Sequence, residues 1–258
     1  MDLGLTDRRA LVMGSTRGMG YGIAERLAAE GTKVAVCGRA QEGAERAAGE
    51  IGHGARGYAL DLSSGDSVTA LIDAVTADFG EIDIVVCNGG GPPPGEISGV
   101  DPETWTAQFQ PMFVNQVRIV NAFLPGMRSR RWGRVLSISS SGAVQPIPNL
   151  GISNAIRGAL VGWAKTLSSE VAKDGVTVNT VAPGRIHTER VDQIDKAAAD
   201  KQGKPVEDIV RASIATIPAG RYGSVAEFAD MATFLLSDRA GYVTGSFIRV
   251  DGGYIRAT

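Results

Sequence analysis

A run of seven residues near the start of the chain combines three glycines with hydroxyl and cationic side chains. In order they are Gly14, Ser15, Thr16, Arg17, Gly18, Met19 and Gly20. Glycine permits a tight turn and lets the main chain approach a ligand closely. An apolar run precedes these residues and an amphipathic helix follows, so the unpaired N–H groups of the helix N-terminus would face the turn. This order favours a pyrophosphate-binding turn over an ordinary glycine-rich one.

A second position bears on the choice of nucleotide. Arg39 follows the second apolar run, where an NAD-preferring site has an acidic side chain that binds the ribose hydroxyls. A guanidinium pairs with a 2′-phosphate, which a carboxylate would repel. Arg17 is a candidate second cation for the same group. The predicted cofactor is therefore NADP(H); the alternative is that Arg39 is a solvated loop charge.

The glycine turn is one junction in a longer alternation of strands and helices. Short, largely apolar and β-branched runs predict seven strands, at residues 8–13, 33–37, 55–60, 82–87, 133–139, 177–182 and 247–250. Runs that are apolar throughout are typical of parallel strands covered on both faces. We expect an α/β fold, a single Rossmann-type domain over residues 1–258, with a doubly wound parallel sheet of about seven strands and helices on both faces.

Local signals mark some element ends. Ser63-Ser64 is a predicted helix N-cap and Gly80 a predicted helix end. Residues 189–217 are polar and charged and interrupt the alternation, so they are a candidate substrate lid.

Composition excludes several classes of protein. A net charge of −2 with 21% charged residues gives no electrostatic footprint for nucleic acid or an anionic membrane. No apolar run approaches the ~20 residues of a membrane helix, and the N-terminus lacks the pattern of a signal peptide. Cys37 and Cys87 each end a predicted buried strand and are interpreted as free thiols rather than a disulfide or metal site. We expect a cytoplasmic protein that binds no metal, nucleic acid or membrane.

The spacing Gly-x-x-x-Gly-x-Gly resembles the short-chain dehydrogenase/reductase family, and further family motifs follow in order along almost the whole chain. They are Asp61-Leu62, Asn88-Gly89-Gly90, Asn115, Ser139-Ser140-Ser141, Pro183-Gly184-Arg185-Ile186-His187-Thr188, and Thr244-Gly245 with residues 250–253. The chain resembles 3-oxoacyl-acyl-carrier-protein reductases in particular. This resemblance implies that NADP(H) reduces a small carbonyl or acyl-thioester substrate.

The resemblance also implies roles for these motifs. Asn115 would hold a water molecule in a proton relay, and Ser140 would orient the substrate carbonyl. Besides the glycine turn and Arg39, the implied cofactor contacts are Asp61, Leu62, Asn88, Gly89, Arg157, Pro183, Gly184, Ile186 and Thr188.

The catalytic Tyr-x-x-x-Lys of the family is absent. Counting back from residues 160–167, which resemble the family's helix after the active site, places Ser153 at the tyrosine position and Arg157 at the lysine position. These two residues are one helical turn apart and share a face. A slip of one residue would put Ile152 and Ile156 there instead, and we reject it because two apolar side chains would then face a polar cofactor.

The replacements leave alternatives open. Arg157 could still bind the ribose, but a guanidinium that stays protonated cannot shuttle a proton. Ser153 is shorter and less acidic than tyrosine, and is either part of an altered site or a helix-start cap. His187 is a candidate proton donor, since free imidazole titrates near pH ~6.5; the alternative is a surface-loop histidine. Arg185 either binds an anionic substrate group or is solvated, and His53 is a predicted turn residue.

Two functions of different classes follow. The first is an NADP(H)-dependent carbonyl reductase with an atypical proton donor, which the retained Asn115 and Ser140 favour. The second is an NADP(H)-binding sensor or partner subunit with little or no redox catalysis, which the missing tyrosine and lysine favour. Small residues on a predicted helix from Ser153 to Lys173, Gly158 and Gly162 among them, would allow a second helix to approach closely. The family resemblance implies pairing through this helix across a two-fold axis, so we expect a homo-oligomer, a tetramer.

Overall fold

The computed structural model describes residues 1–256. The sheet has seven parallel strands in the order β3-β2-β1-β4-β5-β6-β7. Their bounds are β1 Arg9–Val12, β2 Lys33–Gly38, β3 Arg56–Ala59, β4 Ile84–Cys87, β5 Gly133–Ile138, β6 Val176–Pro183 and β7 Phe247–Val250. The predicted fold class is confirmed, and the predicted strand ends differ from the observed ones by at most two residues.

Helices connect successive strands. Their bounds are α1 Gly18–Ala29, α2 Gln41–Ile51, α3 Gly65–Phe79, α4 Pro102–Phe109, α5 Asn115–Ser129, α6 Gly151–Val171, α7 Glu189–Gln202, α8 Val206–Ile214 and α9 Val225–Leu236. A π-helical turn, Gln110–Val114, joins α4 to α5. None of these helices is both long enough and apolar enough to cross a membrane, over the part of the chain that the structure describes.

The sheet is covered by an apolar layer on each face. Ala10 and Val12 of β1 point into a cluster that includes Phe228 of α9, while Leu11 points into a second cluster that includes Ile119 of α5. Because successive side chains of a strand point to opposite faces, a strand buried on both sides is apolar at most of its positions. This explains the continuous apolar runs of the sequence.

Two helix ends follow the predicted chemistry. The Ser64 side chain accepts a hydrogen bond from the Ser67 main-chain N–H and caps α3. Gly80 ends the helix with φ of 68°, a conformation that glycine adopts without a steric penalty. Both predictions are confirmed.

Cys87 is the last residue of β4 and Cys37 the last but one of β2, and both strands lie in the core. Cys37 and Cys87 are free and fully buried, as predicted. Burial raises the pKa of each thiol to about 12, because the apolar surroundings disfavour the thiolate.

Parallel strands bring their carboxyl ends to one edge of the sheet. The glycine turn, residues 14–20, follows β1, and Arg39 follows β2. Asn88 follows β4, and Ser139 and Ser140 follow β5. The motifs found in the sequence therefore meet at this edge, where open α/β sheets bind their ligands.

Candidate active site

The glycine turn is built so that side chains are excluded from it. Gly14 and Gly18 have φ of 58° and 60°, in the left-handed region that favours glycine. A Cβ on Gly20 would collide with the Gly14 carbonyl oxygen. The turn therefore presents bare main chain at the N-terminus of α1, as a pyrophosphate site requires.

Two side chains hold this turn to the sheet. Asn88 donates through Nδ2 to the carbonyl oxygens of Met13 (3.1 Å) and Gly14 (3.0 Å). Ser15 donates through Oγ to the Val12 carbonyl at 2.6 Å and accepts from the Cys37 N–H at 2.9 Å. Ser15 and Asn88 therefore anchor the turn to the main chain of β1 and β2.

Arg39 lies at the end of β2 with an exposed side chain. It makes no hydrogen bond or ion pair with any other residue of the described chain, 1–256. Asp61 lies near Arg39 and accepts two hydrogen bonds from Ser63. These bonds lower the pKa of the Asp61 carboxyl, and the positive charge of Arg39 lowers it further by a smaller amount. Arg39 is consequently free to bind an anionic ligand group.

Arg17, the second candidate cation, already has a partner. Its Nη1 lies 3.1 Å from Oε2 of Glu189, the first residue of α7. The predicted lid comprises α7 and α8, and this ion pair joins it to the glycine turn. Gly18 also faces Thr188, since a Cβ there would lie 3.6 Å from the Thr188 Cγ2.

Asn115 is buried at the junction of the π-helical turn and α5. Its Nδ2 donates to the Leu62 carbonyl at 2.7 Å, and its Oδ1 accepts from Gln110 Nε2 at 3.2 Å. The amide therefore holds Leu62, itself a predicted cofactor contact. Single π-helical turns occur frequently at functional sites, but nothing in the sequence indicated this one.

Ser140 lies two residues after the end of β5 and is half-buried. Its Oγ accepts a hydrogen bond from the Gly142 N–H at 3.0 Å. This bond orients the hydroxyl oxygen while the hydroxyl hydrogen remains available for donation to a ligand.

Ser153 does not cap a helix. Helix α6 begins at Gly151 after Leu150, which provides no side-chain cap, so Ser153 already lies in the first turn of the helix. The prediction of a helix-start cap is wrong. A Cβ on Gly91 would lie 4.0 Å from the Ser153 Oγ, so this hydroxyl faces the loop after β4.

Arg157 is directed at main-chain oxygens. Nη1 donates to the Ile138 carbonyl at 2.8 Å, and Nη2 to those of Gly89 at 3.0 Å and Gly90 at 3.4 Å. Burial lowers the pKa of its guanidinium to about 10. The side chain reaches the ends of β4 and β5, which favours the register that assigned Arg157, rather than Ile156, to the site.

The loop after β6 is pinned to helix α7. Arg185 Nη1 lies 2.9 Å from Asp195 Oδ1, and the carboxylate also accepts from the Tyr222 hydroxyl at 2.8 Å. Asp195 is only 1% exposed. The Arg185 guanidinium is therefore paired with Asp195 while its side chain stays 36% exposed, and the anion-binding role stays a prediction. Sequence separations of 10 and 27 residues gave no signal for this cluster.

His187 has an exposed imidazole. Its Nε2 lies 3.1 Å from the Asp192 Oδ1, and the side chain is 67% exposed. This placement favours the surface-loop alternative, and the proton-donor role stays a prediction. Nearby, Ile186 is buried, and a Cβ on Gly184 would lie 2.6 Å from the Asp251 Cα, so the Pro183–Thr188 loop is closely packed.

The residues at this edge fit a dinucleotide that carries a 2′-phosphate. The glycine turn is a main-chain cradle that a Cβ would fill. Arg39 follows Gly38, which packs against Thr16 of this turn, and its guanidinium has no ion-pair partner within residues 1–256. The fit rests on these two observations.

The chain is similar to known reductases over almost its whole length. The family model described as "Enoyl-(Acyl carrier protein) reductase" matches residues 14–255. The 3-oxoacyl-[acyl-carrier-protein] reductase of Vibrio cholerae is 35% identical over 253 residues, which cover 97% of this chain and 98% of that protein. The Escherichia coli reductase of the same name is 36% identical over 246 residues, 95% of this chain and 96% of that one.

Solved structures of reductases share the fold of this chain. L-sorbose reductase from Gluconobacter frateurii, complexed with NADPH and L-sorbose, superposes with a TM-score of 0.94 at 32% identity, over 100% of both chains. An NADPH-dependent reductase involved in bacilysin biosynthesis gives a TM-score of 0.93 at 26% identity, over 98% of this chain and 100% of that one.

Proposed function

The chain belongs to the short-chain dehydrogenase/reductase family, and from that premise we propose that it is an NADP(H)-dependent oxidoreductase that reduces the carbonyl of a 3-oxoacyl-like substrate. The observation that carries the proposal is Arg39, exposed and unpaired within residues 1–256, beside a glycine turn that Asn88 holds in place. An unpaired guanidinium at the end of β2 favours a 2′-phosphate over bare ribose hydroxyls. The solved relatives named above are NADPH-dependent or carry NADPH, which supports the same cofactor here.

In this proposal, separate groups of residues bind the cofactor and orient the substrate. The glycine turn and α1 bind the pyrophosphate, and Arg39 binds the 2′-phosphate. Ser140, whose hydroxyl hydrogen remains available, donates to the substrate carbonyl oxygen and orients it. NADPH, when bound, supplies the hydride.

The proton is the unusual part of the proposal. Ser153 stands where the family has tyrosine, and its side chain is too short and too weak an acid to take over the role. General acid catalysis contributes typically ~10²–10⁴-fold, so a site that relies on solvent water for the proton would turn over slowly. His187 is the side-chain candidate for a faster route.

A second function, a cofactor-binding protein with little redox activity, is favoured by the contacts of Arg157. Its Nη1 and Nη2 groups donate to the carbonyls of Ile138, Gly89 and Gly90. The residue proposed for the lysine position therefore makes these hydrogen bonds with the main chain rather than with a cofactor. A binding protein needs the cradle but not the proton relay.

One experiment separates the two functions. Purified protein is titrated with NADPH by calorimetry, and NADPH oxidation is then followed with 3-oxoacyl thioesters and with ketoses, the two substrate types named for its relatives. Binding with turnover of a thioester supports the reductase. Binding without oxidation of any substrate supports the second function, and absence of NADPH binding would refute both.

A further inference from the structure

Arg157 joins the ends of two neighbouring strands. It projects from α6 and is 7% exposed. Nη1 binds the carbonyl oxygen of Ile138, the last residue of β5, while Nη2 binds those of Gly89 and Gly90, just beyond β4. The guanidinium therefore ties α6 to both strand ends.

No carboxylate within residues 1–256 forms an ion pair with Arg157. A buried cation without a counterion is costly unless hydrogen bonds compensate it, and here three carbonyl oxygens do so. The planar fork of a guanidinium can reach two separated carbonyls at once, whereas a lysine ammonium is a single point charge. The contact thus depends on arginine in particular.

Gln116 of α5 meets the same turn from another direction. A Cβ on Gly89 would lie 2.9 Å from Gln116 Nε2 and 3.2 Å from Leu62 Cδ1. Gln116 is fully buried, and its Nε2 donates to the Pro111 carbonyl in the π-helical turn at 3.2 Å. Its side chain is therefore held in place, and position 89 has no room for a methyl group.

We propose that Arg157 and Gln116 are positioning residues that fix the Gly89–Gly90 turn, and that Arg157 acts on the cofactor through this turn rather than by touching the nicotinamide ribose. The route is short. Asn88 directly precedes the turn and holds the carbonyls of Met13 and Gly14, so a displaced turn also displaces the glycine turn. This part rests on the proposed function, because it assumes that NADP(H) binds there.

The discriminating variant is Arg157→Lys, measured with two ligands. NADPH contains the nicotinamide ribose, whereas adenosine 2′,5′-bisphosphate keeps the adenosine and 2′-phosphate but lacks that ribose. Action through the turn predicts that affinity falls for both ligands by the same factor, about tenfold. Loss of NADPH affinity with the bisphosphate unchanged would show a direct ribose contact and overturn the proposal, as would unchanged affinity for both.

Arg134→Lys is the matched control. Arg134 is 4% exposed and donates to the carbonyls of Ser237 (3.1 Å) and Gly133 (2.9 Å). It lies at the amino end of β5, whereas the candidate site lies at the carboxyl ends of the strands. We expect a lower Tm with both ligand affinities unchanged. If Arg134→Lys weakens the two ligands as much as Arg157→Lys does, general destabilisation explains the effect and the proposal fails.

A second measurement needs no cofactor. Gly89→Ala should lower the Tm by about 3 °C, because the new methyl group meets Gln116. In a Gln116→Ala background, Gly89→Ala should lower the Tm by clearly less, because the side-chain amide that the new methyl group would meet has been removed. Equal losses in both backgrounds would overturn the role of Gln116. This cycle stays decisive even if the protein binds no NADPH, an outcome that would refute the proposed function alone.

Discussion

Arg17 of the glycine turn and Glu189 of α7 form an ion pair with 3.1 Å between Nη1 and Oε2. The pair joins the edge that would bind the cofactor phosphates to the first residue of the predicted lid. A phosphate at this edge would compete with the Glu189 carboxylate for Arg17. The lid helix and the cofactor are therefore expected to be coupled through one cation.

Glu189→Gln should raise the affinity for NADPH. The substitution frees Arg17 and removes a negative charge that repels the cofactor. Both side chains are largely exposed, at 68% and 73%, so we expect a gain of only about threefold, fading at high salt. Calorimetry at low and high ionic strength measures it. Glu207→Gln, at an exposed position on α8, removes the same charge and should leave the NADPH affinity unchanged. An equal gain in affinity there would mean that net charge, and not release of Arg17, causes the effect.

Arg39→Asp should change the cofactor preference. The carboxylate would repel the 2′-phosphate and accept hydrogen bonds from bare ribose hydroxyls. We expect NADPH affinity to fall at least about tenfold, with NADH affinity maintained or raised. Arg46→Asp, an exposed position on α2, is the charge-matched control. Equal loss of both cofactors in Arg39→Asp would remove this residue from nucleotide selection.

The sheet and the glycine turn could be predicted because their signals are local. Apolar runs identify strands such as β4, and glycines with positive φ mark turns such as the one at Gly14. Ser64 and Gly80 likewise act within one helical turn of their own positions. In each case, the residue type and its immediate neighbours determine the conformation.

The contacts that complete the site could not be predicted in this way. Arg185 and Asp195 pair across the start of α7, and Tyr222 joins them only after the chain has passed through α8. The sequence placed Arg157 at the site but gave no indication that its fork would bind three main-chain oxygens. Such pairings depend on how helices pack, and no local pattern encodes that.

Ser153→Ala should be almost neutral for stability. Ser153 is not an N-cap, and its hydroxyl makes no hydrogen bond with another residue in the range 1–256. We expect the free energy of unfolding to change by less than ~0.5 kcal/mol, measured by urea denaturation. Ser64→Ala is the comparison, because that side chain does cap α3 and its loss should cost ~0.5–2 kcal/mol. A similar cost at Ser153 would contradict its placement inside the first turn of α6.

Gly162→Glu should break the predicted homo-oligomer while leaving the protomer folded. A Cβ added at Gly158 or Gly162 meets nothing within 4 Å, so this stretch of α6 has open space beside it. Glutamates facing each other across a two-fold axis would repel. Light scattering should give a tetramer mass for the wild type and a smaller mass for the variant, with the Tm of the protomer retained. Gly49→Glu, at an equally open position on α2, should leave the mass unchanged; a monomeric wild type would refute the prediction.

His187→Ala tests where the proton comes from. Because the imidazole is 67% exposed and lies 3.1 Å from the Asp192 carboxylate, we expect NADPH affinity to be unchanged. We also expect kcat for any accepted ketone to fall by less than about tenfold, below the ~10²–10⁴ that a general acid contributes. Asp192→Asn, which removes the partner of the imidazole, should have an equally small effect. If His187→Ala instead lowers kcat by ~10² or more and flattens its pH dependence, while NADPH still binds normally, then His187 is the proton donor. The exposed position would in that case change when substrate binds, and slow transfer from water would no longer be needed.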